Sequence, residues 1–144
     1  MSEKKPFVHL HLHTAFSLLD GACHVDRLMD AAAEKEMPAV AITDHGVMYG
    51  VIDFYKAARA KGIKPIVGCE FYITPGSRHD RRVEGRKVMN HHLVLLARDM
   101  VGYHNLVRLC TAAHMEGFYY KPRIDMEILS RYNEGLIGLT ACLK

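Results

Sequence analysis

Several things are missing from this sequence, and each absence narrows what the chain is. Its four cysteines, Cys23, Cys69, Cys110 and Cys142, lie far apart and form no Cys-x-x-Cys pair. That argues against a zinc ribbon or a disulfide framework. The default expectation for each is a small buried hydrophobe. No apolar run reaches the ~18 residues a membrane helix requires, so no membrane partner is expected. The opening Met-Ser-Glu-Lys-Lys-Pro is polar and leads into no signal-peptide core, which reads as cytoplasmic. There is no internal repeat, low-complexity tract or obvious linker. The 144 residues, 49% hydrophobic and 24% charged, therefore fit one domain spanning 1–144 with a real core. Strong charge is also missing, and a net +3 alone does not declare a nucleic-acid binder. Its placement says more. Arg78, Arg81, Arg82, Arg86 and Lys87 face only Asp80 and Glu84 in one short stretch, which carries an excess equal to that of the whole chain. A solvated loop and a phosphate contact both fit that stretch.

What is present is alternation of two kinds. Residues 7–14 alternate histidine with apolar residues, so a strand there puts His9, His11 and His13 on one face and Val8, Leu10 and Leu12 on the other. Residues 24–35 carry Val25, Leu28, Met29 and Ala32 at helical spacing. Residues 39–43 are a short apolar run of the kind found in buried parallel strands. A helix over 51–61 closes at Gly62, and strands follow over 64–73 and 91–97. Helices are expected over 101–113 and 126–132, and a last strand over 136–140. Strand and helix alternating in this way imply an α/β fold with a parallel sheet, either open or curled into a barrel.

Sites in such folds gather at the carboxyl ends of strands. His11 and His13 end the first strand, and Asp20 is in the loop after it. Asp44 and His45 end the second, Glu70 lies late in the third, and Cys142 follows the fifth. His91 and His92 are an exception, since they begin the fourth. Imidazoles, carboxylates and one thiolate together suit zinc, or manganese or iron where nitrogen and oxygen dominate. They exceed what one tetrahedral ion takes, so more than one metal is implied, with Glu70 able to bridge. Blander roles stay open for individual residues. Asp44 before a turn and helix fits an N-cap, His24 fits a helix start, and His104 and His114 fit a surface or core edge. Cys69, next to Glu70 on a strand, points to the opposite face.

His-x-His-Thr at 11–14, Ile-Thr-Asp-His-Gly at 42–46 and Gly-Cys-Glu at 68–70 resemble the first motifs of the PHP (polymerase and histidinol phosphatase) superfamily. Four further stretches narrow the match: Phe-Val-His-Leu-His-Leu-His-Thr at 7–14, Ser-Leu-Leu-Asp-Gly at 17–21, His-Leu-Val-Leu-Leu-Ala at 92–97 and Gly-Phe-Tyr-Tyr-Lys-Pro-Arg-Ile-Asp at 117–125. They are similar to the amino-terminal region of bacterial replicative DNA polymerase alpha subunits. The resemblance implies a distorted parallel β/α barrel of about seven strands, with a trinuclear metal centre of zinc or related ions. About five strands are legible here, so the domain is expected to be incomplete. Carried over position by position, His11, His13 and Glu70 would hold one ion. Glu70, His92 and Cys142 would hold a second, and Asp20 and His45 a third. His92 is preferred to His91 because it directly precedes the apolar run, as in the family pattern. His9 and Asp44 would support the ligands from behind. The family's late Asp-x-His pair has no counterpart in this sequence.

The resemblance also implies the chemistry. A metal-bound water gives hydroxide, which attacks phosphorus in line, and no protein nucleophile is needed. In the polymerase setting the substrate is the 3′ end of a DNA strand and the reaction is 3′→5′ proofreading, with a zinc, manganese or iron cofactor. Arg78, Arg81, Arg82, Arg86, Lys87, Lys121 and Arg123 are candidates to hold the backbone, with Tyr119 and Tyr120 nearby for stacking. The expected partners are DNA, the remainder of the alpha subunit, a separate exonuclease subunit and other replisome components. Two alternatives stand beside this. One is an inactive structural module that docks an exonuclease, and the other is a free-standing histidinol-phosphatase-like enzyme. A barrel cut after its fifth strand would leave open edges, which predicts a destabilised or oligomeric piece.

Overall fold

The computed structural model describes residues 6–81 and 90–141. The elements follow in the order α1 (Val25–Glu34), β1 (Ala39–Ile42), α2 (Val51–Ala60), β2 (Lys64–Ile73), β3 (His91–Ala97), α3 (Met100–Met115), β4 (Arg123–Ile124), α4 (Met126–Arg131) and β5 (Leu136–Thr140). Caps fix the later helices. Asp99 accepts from the Gly102 N–H to start α3, and Asp125 accepts from the Ile128 N–H to start α4. Among the described residues, no helix is long and apolar enough to cross a membrane.

The α/β class and a sheet of five strands are as expected, but β4 takes the place expected of residues 7–14, and the sheet is not all parallel. Its order is β1-β2-β3-β5, with β4 also paired to β2. β1 and β4 run parallel to β2, whereas β3 is antiparallel to both β2 and β5. One strand is therefore reversed. A parallel neighbour needs a crossover, usually a helix. The sequence between β2 and β3 holds Pro75, Gly76 and a run of charges, with no apolar stripe on which a helix could pack. The chain instead returns beside the strand it has just left. The reversal removes the His92 exception, because the first residues of β3 pair with the last of β2, Tyr72 opposite His92. His92 thus stands at the carboxyl end of the parallel set.

Residues 7–14 are a second correction. They run extended beside β1 but form only isolated bridges, His9 with Val40 and Thr14 with Cys23. The Ala41 N–H donates to His9 O and the Thr43 N–H to Leu12 O. The Leu12 N–H, however, goes to the Thr43 hydroxyl at 2.9 Å rather than to a ladder carbonyl. The segment bends at Leu10 and His11, and Leu10 is exposed, so the strict two-face alternation is lost.

Strand parity sorts the core. Cys69 and Phe71 of β2 and Leu95 of β3 join Leu106, Leu109, Ile124 and Ile128 under α3 and α4. Val40 and Ile42 of β1 join Met29, Val51 and Phe54 under α1 and α2. Val67 and Met48 touch both clusters, so the helices share one side of the sheet. The other side carries Ala41, Val94 and Leu96 in a small apolar cluster. Glu70 and Tyr72, two residues apart on β2, share that inner side. Helices on one side only is the arrangement of a barrel wall. Cys69 and Cys110 pack as expected, but Cys23 is exposed.

Candidate metal centre

The centre is built on Glu70. Its β2 position, flanked by Cys69 and Phe71 in the core, leaves its residue only 2% exposed. Asp44-His45-Gly46 continues the line of β1 beside it. The Glu70 N–H donates to Asp44 O at 3.0 Å and the Gly46 N–H to Glu70 O at 2.8 Å. Gly46 takes φ 64, a left-handed turn that suits glycine and aims His45 inward. Below them Asp44, 1% exposed, caps no helix. Its carboxylate accepts from the Thr14 N–H (2.6 Å), the Thr14 hydroxyl (2.8 Å) and the Ser17 hydroxyl (2.7 Å). It thereby ties the loop after the histidine segment to the end of β1. Gly21 closes that loop, since a Cβ there would lie 1.8 Å from Thr14 O. The closure presents Asp20.

Four imidazoles surround the Glu70 carboxylate, and Asp20 joins them through two of the rings. His11 Nε2 and His13 Nε2 each donate to Oε2 at 2.6 Å, and the two nitrogens are 3.2 Å apart. His92 Nδ1 donates to Oε1 at 2.6 Å. His45 Nε2 donates to Asp20 Oδ2 at 2.6 Å, and His13 Nδ1 lies 3.1 Å from the same oxygen. The ligand atoms form three overlapping groups: His11, His13 and Glu70; His13, Asp20 and His45; His45, Glu70 and His92. Glu70 belongs to two of them.

Burial pushes the Glu70 carboxyl up, but hydrogen bonds from His13 and His11 and the nearby His45 and His13 charges outweigh it and hold it at about 2. The Glu70 hydrogen bond raises His13 above its ordinary value despite burial. Burial lowers His45, with Asp20 opposing. Asp20 is lowered by the His45 hydrogen bond. The His45 Nδ1 atom is buried with no hydrogen-bond partner, 3.7 Å from Glu70 Oε2. With Nε2 donating to Asp20, a neutral His45 ring would turn the Nδ1 lone pair toward an ionised carboxylate, acceptor against acceptor, and a cation between them would satisfy both. The residues present therefore fit a metal, and the nitrogen and oxygen set suits zinc, manganese or iron.

Other expected site residues are placed differently. His9 is exposed, packs edge-on to Phe7 at 4.8 Å and belongs to none of the three groups. His91 is exposed beside His92. Arg78 is 6% exposed and bonded to Asp125, Glu116 and Glu127, and Arg123, 1% exposed, donates to the carbonyls of Gly117, Arg78 and Asp80. Both arginines brace the fold, which corrects their assignment as backbone contacts. Arg81 and Lys121 are exposed. Arg82, Arg86, Lys87 and Cys142 lie outside the described residues. Thr140, two positions before Cys142, pairs with Leu93 next to His92. Tyr72 was not anticipated. Its ring stacks on His45 at 5.9 Å and meets His92 edge-on at 4.9 Å. Its spacing of two from Glu70 was the available signal.

Comparison with known proteins places the chain in a family. The chain is 56% identical over 145 residues to DNA polymerase III subunit alpha of Aquifex aeolicus, covering 97% of this chain and 12% of that protein. It is 52% identical over 146 residues to the same subunit of Thermus aquaticus, covering 99% and 12%. It is 46% identical over 137 residues to that of Chlamydia muridarum, covering 95% and 11%. The chain thus spans only about an eighth of the length of these relatives. A solved amidohydrolase from Chromobacterium violaceum superposes with a TM-score of 0.49 at 26% identity, over 73% of this chain and 34% of that one, too loosely to inform function. Residues 9–144 match the PHP domain, and the chain belongs to that family.

Proposed function

We propose that this PHP domain is the metal-dependent phosphoesterase part of a DNA polymerase III alpha subunit, and that it hydrolyses the phosphodiester at the 3′ end of a DNA strand. The observation that carries the reading is the convergence of His11, His13, His45 and His92 on the one buried carboxylate of Glu70, with the His45 Nδ1 atom left without a hydrogen-bond partner. The polymerase names of the relatives support the setting. Zinc, manganese or iron would be held by His11, His13 and Glu70, by His45, Glu70 and His92, and by Asp20 and His45, with Cys142 added from the family pattern. Such ions supply Lewis acidity and a water acidic enough to yield hydroxide near neutral pH. The protein's own part is positioning. Glu70 fixes three imidazoles from two directions, Asp44 locks the loop that presents Asp20, and the half-exposed His11 and Asp20 face the side from which a strand arrives.

The test is elemental analysis of protein purified without chelators, beside Glu70→Ala and His13→Ala, followed by hydrolysis of a 3′-labelled oligonucleotide. Two or more ions per chain, lost in both variants, with 3′→5′ shortening of the strand, is the expected result. A wild type holding no metal and releasing no nucleotide would overturn the reading in favour of an inactive docking module.

A further inference from the structure

Lys121 stands at the rim of the centre, and much of the local structure serves to keep it there. Its ammonium lies 5.3 Å from the centroid of the Tyr72 ring, the same ring that touches His45 and His92. On one side of it Tyr120 holds φ 58, a left-handed conformation that a bulky residue adopts only when its surroundings force it. The Tyr119 N–H closes the turn on Lys121 O at 3.1 Å. On the other side Pro122 sits against Gly46, where a Cβ would come within 2.6 Å of the proline Cγ. The buried Arg123 ties the turn to Gly117 O at 2.9 Å and to Arg78 O and Asp80 O at 3.0 and 2.9 Å, with its guanidinium 5.3 Å from the Tyr119 ring. β4 is two residues long, and its whole pairing is to Tyr72 and Ile73. A strained turn, a buried arginine and a minimal strand thus fix one lysine beside a cluster suited to cations.

Among the described residues no carboxylate pairs with that lysine within salt-bridge distance. A fixed positive charge beside a cation site opposes loading of that site unless an anion lies between them. We propose that Lys121 contacts substrate directly, through a non-bridging oxygen of its phosphate, and that Tyr120 supplies a stacking face for the adjoining base, so that the site selects a single-stranded nucleic acid end. Tyr120 is 82% exposed, and an aromatic face beside a cation is the pairing that holds single strands without regard to sequence. This assignment rests on the phosphodiesterase reading above.

The experiment is fluorescence anisotropy of a fluorescein-labelled single-stranded thymidine octamer, over a range of NaCl, in EDTA and in manganese. Wild type is compared with Lys121→Ala, Lys121→Arg and Tyr120→Ala, with metal content measured for each. Lys121→Ala should weaken binding about tenfold and flatten the salt slope by about 0.7, the share of one phosphate contact on a single strand. Lys121→Arg should restore the slope. Tyr120→Ala should weaken binding at least about fivefold with the slope unchanged. Metal content should match wild type throughout. Unchanged affinity and slope in Lys121→Ala, or loss of its metal, would overturn the assignment. So would thymidine monophosphate competing as well as the unlabelled octamer, which would mark a small phosphate monoester as the substrate. If octamer binding depends on Lys121 but wild type holds no metal and cleaves nothing, the hydrolase reading fails and the Lys121 contact stands. Strand hydrolysis that is indifferent to Lys121 gives the reverse.

Discussion

Two clusters of charge lie in this molecule, and they are built on opposite plans. Around Arg78 one cation meets three carboxylates. Asp125 accepts from both its main chain and its Nη1, Glu116 accepts from its Nε, and Glu127 shares Nη1 and also pairs with Arg131. Among the described residues, no buried polar side-chain atom of that cluster lacks a partner. Around Glu70 several imidazoles press on one carboxylate, two of their nitrogens lie 3.2 Å apart, and the His45 Nδ1 atom finds no partner. The first cluster is complete with the protein's own atoms, and the second is complete only with something added. Charge density does not separate a brace from a site, but the balance of donors and acceptors does.

The sharpest way to break the comparison is Arg78→Ala. It takes the guanidinium from the buried Asp125, which keeps only the main-chain N–H groups of residue 78 and Ile128, so stability should fall by about 3 kcal/mol in urea unfolding while metal content per folded chain stays at the wild-type value. Loss of metal without loss of stability would reverse the roles given to the two clusters. Asp44→Ala comes next, because it removes one acceptor from three donors. It should cost about 2–3 kcal/mol and also weaken metal affinity about 10–100-fold by freeing the Asp20 loop. An isotherm indistinguishable from wild type would show that the loop is held by other means.

A smaller and more specific effect is expected with pH in the metal-free protein. The His13 pKa is raised from 6.5, so stability from its pairing with Glu70 is complete below about 6.5 and is lost as pH rises through the raised value. Glu70 is depressed to about 2, so it stays ionised across that range and its own contribution disappears only well below 4.5. His45 is lowered by burial with the Glu70 charge opposing, so its burial opposes folding as pH falls, and more strongly in a Glu70 variant. Glu70→Gln should therefore lose more stability, relative to wild type, at about pH 5.5 than at about pH 8. Equal losses at the two values would mean that His13 is neutral in the folded protein. Metal affinity should run the other way and rise with pH, because ligation needs neutral imidazole. The smallest effect expected is that of His91→Ala, which should stay within about 0.5 kcal/mol and leave metal content alone. His92→Ala, one residue on, should lower it.

The sequence displays some of this and hides the rest for physical reasons. The bounds of β2, β3 and β5 are legible because apolar runs and turn residues mark them locally. The reversal of β3 is not, since direction depends on what the intervening chain does rather than on the strand. Glu70, His11, His13 and His45 are legible through motif and parity. The buried roles of Arg78 and Arg123 are not. Arg78 reads as solvated because its counter-charges Glu116, Asp125 and Glu127 arrive from roughly 40 to 50 positions away, and Arg123 because its acceptors are main-chain carbonyls. The histidine segment misleads in the opposite sense. Its alternation promises a full strand, but Thr43 intercepts the Leu12 N–H and leaves a bent edge that still delivers His11 and His13.

The sharing of Glu70 has a consequence for how such a centre is lost. Because three imidazoles donate to the same carboxylate, their effects are coupled, and substitutions among them should combine with strong epistasis rather than add. With Glu70 intact each histidine is held under selection by the others. Once Glu70 is replaced, later losses of His11 and His92 should matter little, while His13 and His45 would still meet at Asp20. A lineage that abandons the chemistry would therefore shed this position first and its histidines afterwards, while Arg78 and its carboxylates, which answer only to folding, would persist.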